Sequence, residues 1–89
     1  MKVFRTYKRD ANHKALSADF ERLGWKVHHT NGDWDATICK RDVVRLIEYK
    51  DPKSPNLKRK NRGDKLKADG WPIIRVLTQD DVIKVNEGA

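Results

Sequence analysis

The segment from Val43 to Lys50, VVRLIEYK, constrains the fold more than any other part of the chain. Its β-branched and aromatic residues predict a β-strand. Because side chains alternate between the two faces of a strand, Glu48 and Lys50 are expected to project from the same face. A carboxylate and an ammonium group at the end of an apolar strand are costly to bury without partners. The pattern therefore indicates either a metal site or a structural ion pair.

The residues around this strand predict alternating helices and strands. Leu16, Phe20 and Leu23 recur at helical spacing, and Gly24 would end that helix. Turn residues separate the following apolar segments, which read as strands. The predicted elements are a helix from Asp10 to Gly24, strands over 25–30, 35–39 and 43–50, a basic helix from about Pro55 to Asp69, a strand over 71–77, and a short helical turn opened by Thr78.

This order, α-β-β-β-α-β, predicts one α/β domain with a mixed sheet flanked by helices. The chain has 89 residues, and single cores typically take about 50 to 200 residues. We therefore expect a single domain over 1–89, with its core at about 10–82. A domain this small buries little of its surface, which favours a homodimer.

Positive charge is concentrated after the central strand. The chain carries a net charge of +7, and most of it falls within residues 50–67. A basic surface of this kind favours a polyanionic partner such as nucleic acid, although a helix can also be basic for solubility alone. The basic residues in this window are Lys50, Lys53, Lys58, Arg59, Lys60, Arg62, Lys65 and Lys67.

The sequence lacks the features of a membrane or secreted protein. No apolar run approaches the roughly 18 residues of a membrane span, and the first residues lack the apolar stretch of a signal peptide. Cys39 is the only cysteine, which excludes an internal disulfide. We therefore expect an intracellular protein with no membrane partner.

A second carboxylate is expected beside Glu48. Asp35 begins the strand that precedes Val43–Lys50, and the short turn at Lys40 to Asp42 joins the two strands in antiparallel fashion. The start of one strand then lies near the end of the other, which brings Asp35 close to Glu48. Two carboxylates suit a hard cation such as Mg²⁺, and Lys50 could act on water and phosphate.

With Asp35 followed by Glu48-Tyr49-Lys50 in this element order, the chain resembles the PD-(D/E)xK nuclease superfamily, which has a restriction-endonuclease-like fold. It is most similar to the compact VRR-NUC and Holliday-junction-resolvase-like domains, on the segments Leu23-Gly24-Trp25, Leu46 to Asp51 and Asp69-Gly70. The resemblance implies an Mg²⁺-dependent endonuclease, with Mn²⁺ able to substitute, that hydrolyses branched or structured DNA as a homodimer. It implies Asp35 and Glu48 as metal ligands, with Lys50 completing the catalytic set.

Other positions depart from the family pattern. Trp34 stands where proline commonly precedes the aspartate, and it could either pack or stack on a base. Where relatives carry a glutamate on the first helix, this chain has Asn12 and His13. His13 is then either a water-mediated contact in the site or a structural or capping residue. The expected nucleic-acid contacts are Trp34, Lys53, Lys58, Arg59, Lys60 and Arg62.

For several other conspicuous residues, a purely structural role is the simpler interpretation. Trp25 and Trp71 each follow a glycine before a strand, which suggests core or sheet-edge packing. His28 and His29 are adjacent and should point to opposite faces, which disfavours joint metal binding. Two other functions compete with the nuclease. The first is a non-catalytic module that recognises the shape of double-stranded RNA or DNA. The second is a degenerate nuclease fold that serves in protein interaction.

Overall fold

In a computed structural model, which describes residues 11–30, 32–51 and 62–88, the chain forms alternating helices and strands in the expected order. The described elements are α1 (Ala11–Arg22), β1 (Lys26–His29), β2 (Ala36–Lys40), β3 (Val43–Tyr49), α2 (Arg62–Ala68), β4 (Ile73–Val76) and α3 (Gln79–Glu87). None of the helices in these ranges has the length and apolar character needed to cross a membrane.

The strands form one mixed sheet in the order β1-β2-β3-β4. The pairs β1–β2 and β2–β3 are antiparallel, whereas β3 and β4 are parallel. The tight turn between β2 and β3 places Arg41 at a φ of 59° and pairs Ala36 with Ile47. The α/β class and the mixed sheet with helices are therefore confirmed.

The main core lies on the sheet face that packs against α1 and α3. Leu16 and Phe20, one helical turn apart on α1, are buried, as their spacing predicts. Trp25 packs edge-on against Phe20 at 6.3 Å between ring centroids, which confirms its predicted packing role. Burying side chains of this size stabilises the fold by about 1.5–3 kcal/mol each. The largest fully buried side chains among the described residues are Phe20, Ile38, Ile47, Val76 and Val82.

The opposite sheet face is contacted by α2, through β4. Ile73 is buried on this face, although it stands apart from the main core cluster. Trp71 remains 48% exposed and Val44 55% exposed. Trp71 therefore lies at the rim of the sheet, because its strand begins only at Ile73; this agrees with the sheet-edge alternative and not with packing in the core.

The ends of two helices follow from local chemistry. Gly24 has a φ of +96°, a conformation that glycine adopts without strain, and it ends α1 as predicted. At the start of α3, Thr78 and Asp81 form a reciprocal capping box. The expected short turn was wrong, since α3 runs for nine residues. Val82 and Val85 are buried in the core, and this packing extends the helix beyond what its sequence favours.

Other boundaries differ from prediction by one or two residues. β2 begins at Ala36 rather than Asp35, β3 ends at Tyr49 rather than Lys50, and β1 and β4 are shorter at both ends. Pro72 lacks the N–H that a strand needs at its position. The predicted start of the basic helix near Pro55 lies outside the described residues, as do Asp10 and Asn31.

Candidate functional site

Asp35 is held by backbone hydrogen bonds at the end of the β2–β3 hairpin. Its N–H donates to the carbonyl of Ile47 at 3.0 Å, and its own carbonyl accepts from Thr30 at 2.9 Å. Its Oδ2 accepts a hydrogen bond from the Tyr49 backbone N–H at 2.8 Å. The hydrogen bond from the Tyr49 N–H thus fixes the Asp35 carboxylate against β3. This fixed position is what a metal ligand or a structural clamp requires.

Glu48 lies on the sheet face opposite the main core, because its neighbours Ile47 and Tyr49 both point into that core. Ala36 pairs with Ile47, and Asp35 and Glu48 are the next residue on each strand, so the two acids lie at the same end of the hairpin. Glu48 is only 6% exposed. A carboxylate buried to this degree requires a compensating charge or hydrogen bonds. The strand register brings the two acids to the same end of the hairpin, and the approach of their carboxylates stays a prediction.

Arg75 adds a positive charge that the sequence interpretation missed. Glu48 is paired with Arg75 across β3 and β4, and Asp35 directly precedes β2 at the same end of the sheet; these three residues are called here the charged row. Arg75 also forms a hydrogen-bonded ion pair with Asp64 of α2. Arg75 could therefore balance Glu48 structurally, or it could contact a bound anion.

Lys50 follows the last residue of β3 and is partly buried. Its N–H donates to Val76 at 3.0 Å, so the backbone is still paired with β4 at this point. Its carbonyl accepts a hydrogen bond from Asn12 Nδ2 at 3.0 Å. Asn12 also donates to Leu77 at 3.4 Å. The start of α1 thus secures the backbone that carries Lys50, which gives Asn12 a positioning contact at the site.

His13 lies on the other side of the sheet from the charged row. Its ring is 4.3 Å from that of Tyr49 and 5.5 Å from that of His29. Tyr49 and Glu48 are adjacent on β3 and point to opposite faces. His13 therefore packs within an aromatic cluster at the α1 face, which agrees with the structural alternative for this residue.

Tyr49 anchors this cluster through its hydroxyl group, which accepts a hydrogen bond from Ser17 at 2.9 Å. Burial raises the pKa of the Tyr49 phenol above its ordinary value; the hydrogen bond from Ser17 opposes this rise, and the negative charges of Asp35 and Glu21 add to it. The phenol therefore stays protonated at neutral pH. It fits a structural role between β3 and α1 rather than that of a base.

Two tryptophans stack on the face that carries the charged row. The rings of Trp34 and Trp71 are 6.5 Å apart with 28° between their planes. Trp34 Nε1 donates to Thr37 Oγ1 at 3.0 Å, which fixes the orientation of its indole. No local sequence pattern joins these two residues, because β3 and α2 separate them along the chain.

The carboxylate oxygens of Asp35 and Glu48 are the kind of ligand that a hard divalent cation prefers, although two carboxylates are a small set. Within residues 11–30, 32–51 and 62–88, no group of three or more His, Cys, Asp or Glu side chains could hold a metal. Mg²⁺ commonly uses only one or two carboxylates, with water and phosphate supplying the other ligands. Asp35 and Glu48 could supply such carboxylates. Lys53, Lys58, Arg59 and Lys60 lie outside the described residues, as does the Arg62 side chain.

Comparisons with protein-family models, curated proteins and solved structures returned no match to this chain. Function is therefore inferred from the charged row, from the residues around it and from the order of the elements.

Proposed function

We propose that this chain is a metal-dependent endonuclease of the PD-(D/E)xK type that hydrolyses phosphodiester bonds in DNA. The observation that carries the proposal is the register of β2 and β3, which pairs Ala36 with Ile47 and so brings Asp35 and Glu48 to the same end of the hairpin. Lys50 follows two residues later, where the backbone is held by β4 and Asn12.

In this proposal Asp35 and Glu48 hold Mg²⁺ through their carboxylate oxygens, with Mn²⁺ able to substitute. The bound ion would supply a more acidic water and stabilise charge on the phosphate. Lys50 orients the attacking water, accepts or shares its proton, and offsets charge that develops on the phosphate oxygens. The hydrogen bond from the Tyr49 N–H keeps the Asp35 carboxylate oriented.

The arrangement of the sheet supports a restriction-endonuclease-like fold, which we propose for the domain. A helix precedes three antiparallel strands, and a second helix then leads to a strand that runs parallel to the third. A double-stranded-RNA-binding module does not account for this parallel strand or for Glu48 beside Asp35. The proposed fold accounts for both.

DNA is the proposed substrate because of the charge balance of the chain. Its net charge is +7, and the expected phosphate contacts are Lys53, Lys58, Arg59, Lys60 and Arg62. No base-reading motif was identified in the sequence, so we propose that selectivity comes from DNA shape, as in branched or structured DNA. A homodimer would present two such sites, and sedimentation at several protein concentrations would test it.

A second candidate function is a non-catalytic nucleic-acid-binding module. The pairing of Glu48 with Arg75 favours it, because a buried carboxylate beside a guanidinium is stable without a metal. In that case the charged row is only structural. The two functions differ in whether a divalent cation is required for any activity.

The test is cleavage of branched, nicked and linear DNA with Mg²⁺ or Mn²⁺, compared with excess chelator. Asp35→Asn and Glu48→Gln should each abolish cleavage while DNA binding in chelator stays within a few-fold of wild type. Asp42→Asn provides the matched control, since Asp42 is an exposed acid in the β2–β3 turn. Substantial metal-dependent cleavage by either site variant would contradict the proposed ligands, and no cleavage by wild type would favour the binding module.

A further inference from the structure

The stacked pair Trp34–Trp71 lies over the sheet face that carries the charged row. Thr37, which holds the Trp34 indole, is paired with Leu46, and Leu46 is paired with Ile73. These three residues form the row next to the charged row. Successive residues on one face of a strand are about 7 Å apart, so the two rows are neighbours. The tryptophan pair is therefore close to the proposed catalytic carboxylates.

Trp71 presents an aromatic surface to solvent. It is 48% exposed, while Trp34 stacks on it and is fixed by its hydrogen bond to Thr37. A large apolar ring is usually buried in a domain core or an interface. An exposed ring supported by a second ring is already oriented for stacking, so little conformational entropy is lost when a ligand binds.

An open groove of about 620 Å³ begins at Trp71. Leu46, Ile73 and the exposed Val44 contribute apolar surface to it, whereas Arg45 and Lys67 contribute positive charge. Aromatic and apolar surface suits a base, and the two cations suit a phosphate backbone. This combination is what proteins that bind single-stranded nucleic acid use.

We infer that the Trp34–Trp71 pair is a stacking platform for an unpaired nucleobase, with Arg45 and Lys67 contacting the adjoining phosphates. One part of this inference rests on the proposed nuclease function: the substrate class, which is DNA with unpaired nucleotides next to the cleavage site. The platform itself requires no metal.

A nucleic acid fits this surface better than a second copy of the chain. Each copy carries a net charge of +7, and Arg45 and Lys67 line the groove. Apposing two such grooves would bring like charges together without a counter-ion, which is unfavourable. A polyanion neutralises the same charges and releases its own counter-ions.

The experiment measures the affinity of the full chain for labelled oligonucleotides by fluorescence anisotropy in excess chelator. A single strand and a blunt duplex of the same sequence are compared for wild type, Trp71→Ala and Trp71→Phe. Ile83→Ala is the matched control, because Ile83 is 41% exposed on α3 and does not line the groove. Circular dichroism of each variant checks folding. An RNA strand of the same sequence identifies which backbone the groove accepts.

Trp71→Ala should weaken single-strand binding by about 5- to 150-fold, since stacking on one aromatic ring accounts for a change of this size per base. Duplex binding should change less than threefold. Trp71→Phe should retain most of the affinity, and Ile83→Ala all of it. No single-strand binding by wild type, no change in Trp71→Ala, or equal losses for both DNA forms would each overturn the inference.

Two further measurements separate this inference from its alternatives. Sedimentation of wild type and Trp71→Ala tests a protein interface, and a dimer that dissociates in the variant without loss of DNA affinity would overturn the platform. Cleavage assays with Mg²⁺ test the nuclease separately. If Trp71→Ala loses affinity for the single strand only, and wild type cleaves no DNA, the platform is supported and the nuclease is contradicted. If wild type cleaves DNA and Trp71→Ala binds the single strand as tightly as wild type, the nuclease is supported and the platform is contradicted.

Discussion

Asp35 makes one observed contact and has one proposed function, and substitution of this residue can distinguish them. Its Oδ2 accepts the backbone N–H of Tyr49 at 2.8 Å, and in our proposal its carboxylate also binds the metal. Asp35→Ala removes the acceptor and the ligand together. Asp35→Asn leaves an amide oxygen that can accept the same hydrogen bond, but it removes the negative charge. Both variants should therefore lose cleavage, while only the alanine variant should lose substantial stability.

The expected loss of stability follows from the burial of Tyr49, which is 7% exposed. A buried N–H that loses its acceptor costs about 1–3 kcal/mol. For a domain of this size, each 1 kcal/mol lowers the Tm by about 4–8 °C. We expect Asp35→Ala to lower the Tm by roughly 4–24 °C. Asp35→Asn should lose less than about 1 kcal/mol, because only the charge-assisted part of the bond is removed.

Thermal and urea unfolding of both variants, followed by far-UV circular dichroism, measures this difference, and cleavage assays with Mg²⁺ follow the second function. Asp42→Ala is the control: this acid is exposed in the β2–β3 turn, and its substitution should stay within about 0.5 kcal/mol of wild type. Equal stability of Asp35→Ala and Asp35→Asn would refute the clamp on Tyr49. Retained cleavage in Asp35→Asn would refute the ligand assignment while leaving the clamp intact.

Three further predictions concern neighbouring residues. Lys50→Ala should lose most turnover at saturating metal while metal binding survives; recovery of full rate at high Mg²⁺ would contradict a role on water and phosphate. Neutralising Lys58 and Arg59 should weaken DNA binding similarly across sequences and reduce the slope of log affinity against log salt by roughly 0.9 per lost phosphate contact, and an unchanged slope would assign these charges to solubility. Because the pKa of Tyr49 is raised above 10.0 in the folded chain, its contribution to stability is complete below pH 10 and declines as pH rises through the folded value. Unfolding free energies measured from pH 8 to 11 should therefore fall more for wild type than for Tyr49→Phe, and parallel curves would refute the linkage.

The position of Asp35 and Glu48 at the same end of the hairpin was predictable because it depends on local rules. A short turn fixes the register of a hairpin, and side-chain alternation then decides which residues share a face. The turn at Arg41 and Asp42 pairs Ala36 with Ile47, and the positions of the two acids follow from that pairing. The element order followed from periodicity and from Gly24 and Thr78 at helix ends.

The contribution of β4 could not be predicted in the same way. β4 reaches β3 through a long connection that contains α2, so no turn fixes which residues face each other. Placing Arg75 beside Glu48 depends on how α2 packs and on where β4 begins. The exposure of Trp71 and its stacking on Trp34 depend on the same packing. The length of α3 likewise reflects the burial of Val82 and Val85. The sequence of α3 is only weakly apolar, so it does not predict this burial.

The contacts of Arg75 offer a way to distinguish a metal site at Glu48 from a purely structural ion pair. Arg75 is bound to Asp64, so Arg75→Met removes a charge from both the ion pair and the charged row. If Glu48 binds a divalent cation, loss of the neighbouring guanidinium should strengthen metal binding, because a competing positive charge disappears. If Glu48 serves only as the structural partner of Arg75, the same substitution leaves a buried carboxylate uncompensated and destabilises the domain strongly. Because Glu48 is uncompensated in the metal-free variant in both cases, urea unfolding of Arg75→Met is measured with and without Mg²⁺. Only the metal site predicts tighter Mg²⁺ binding and a recovery of stability when Mg²⁺ is added.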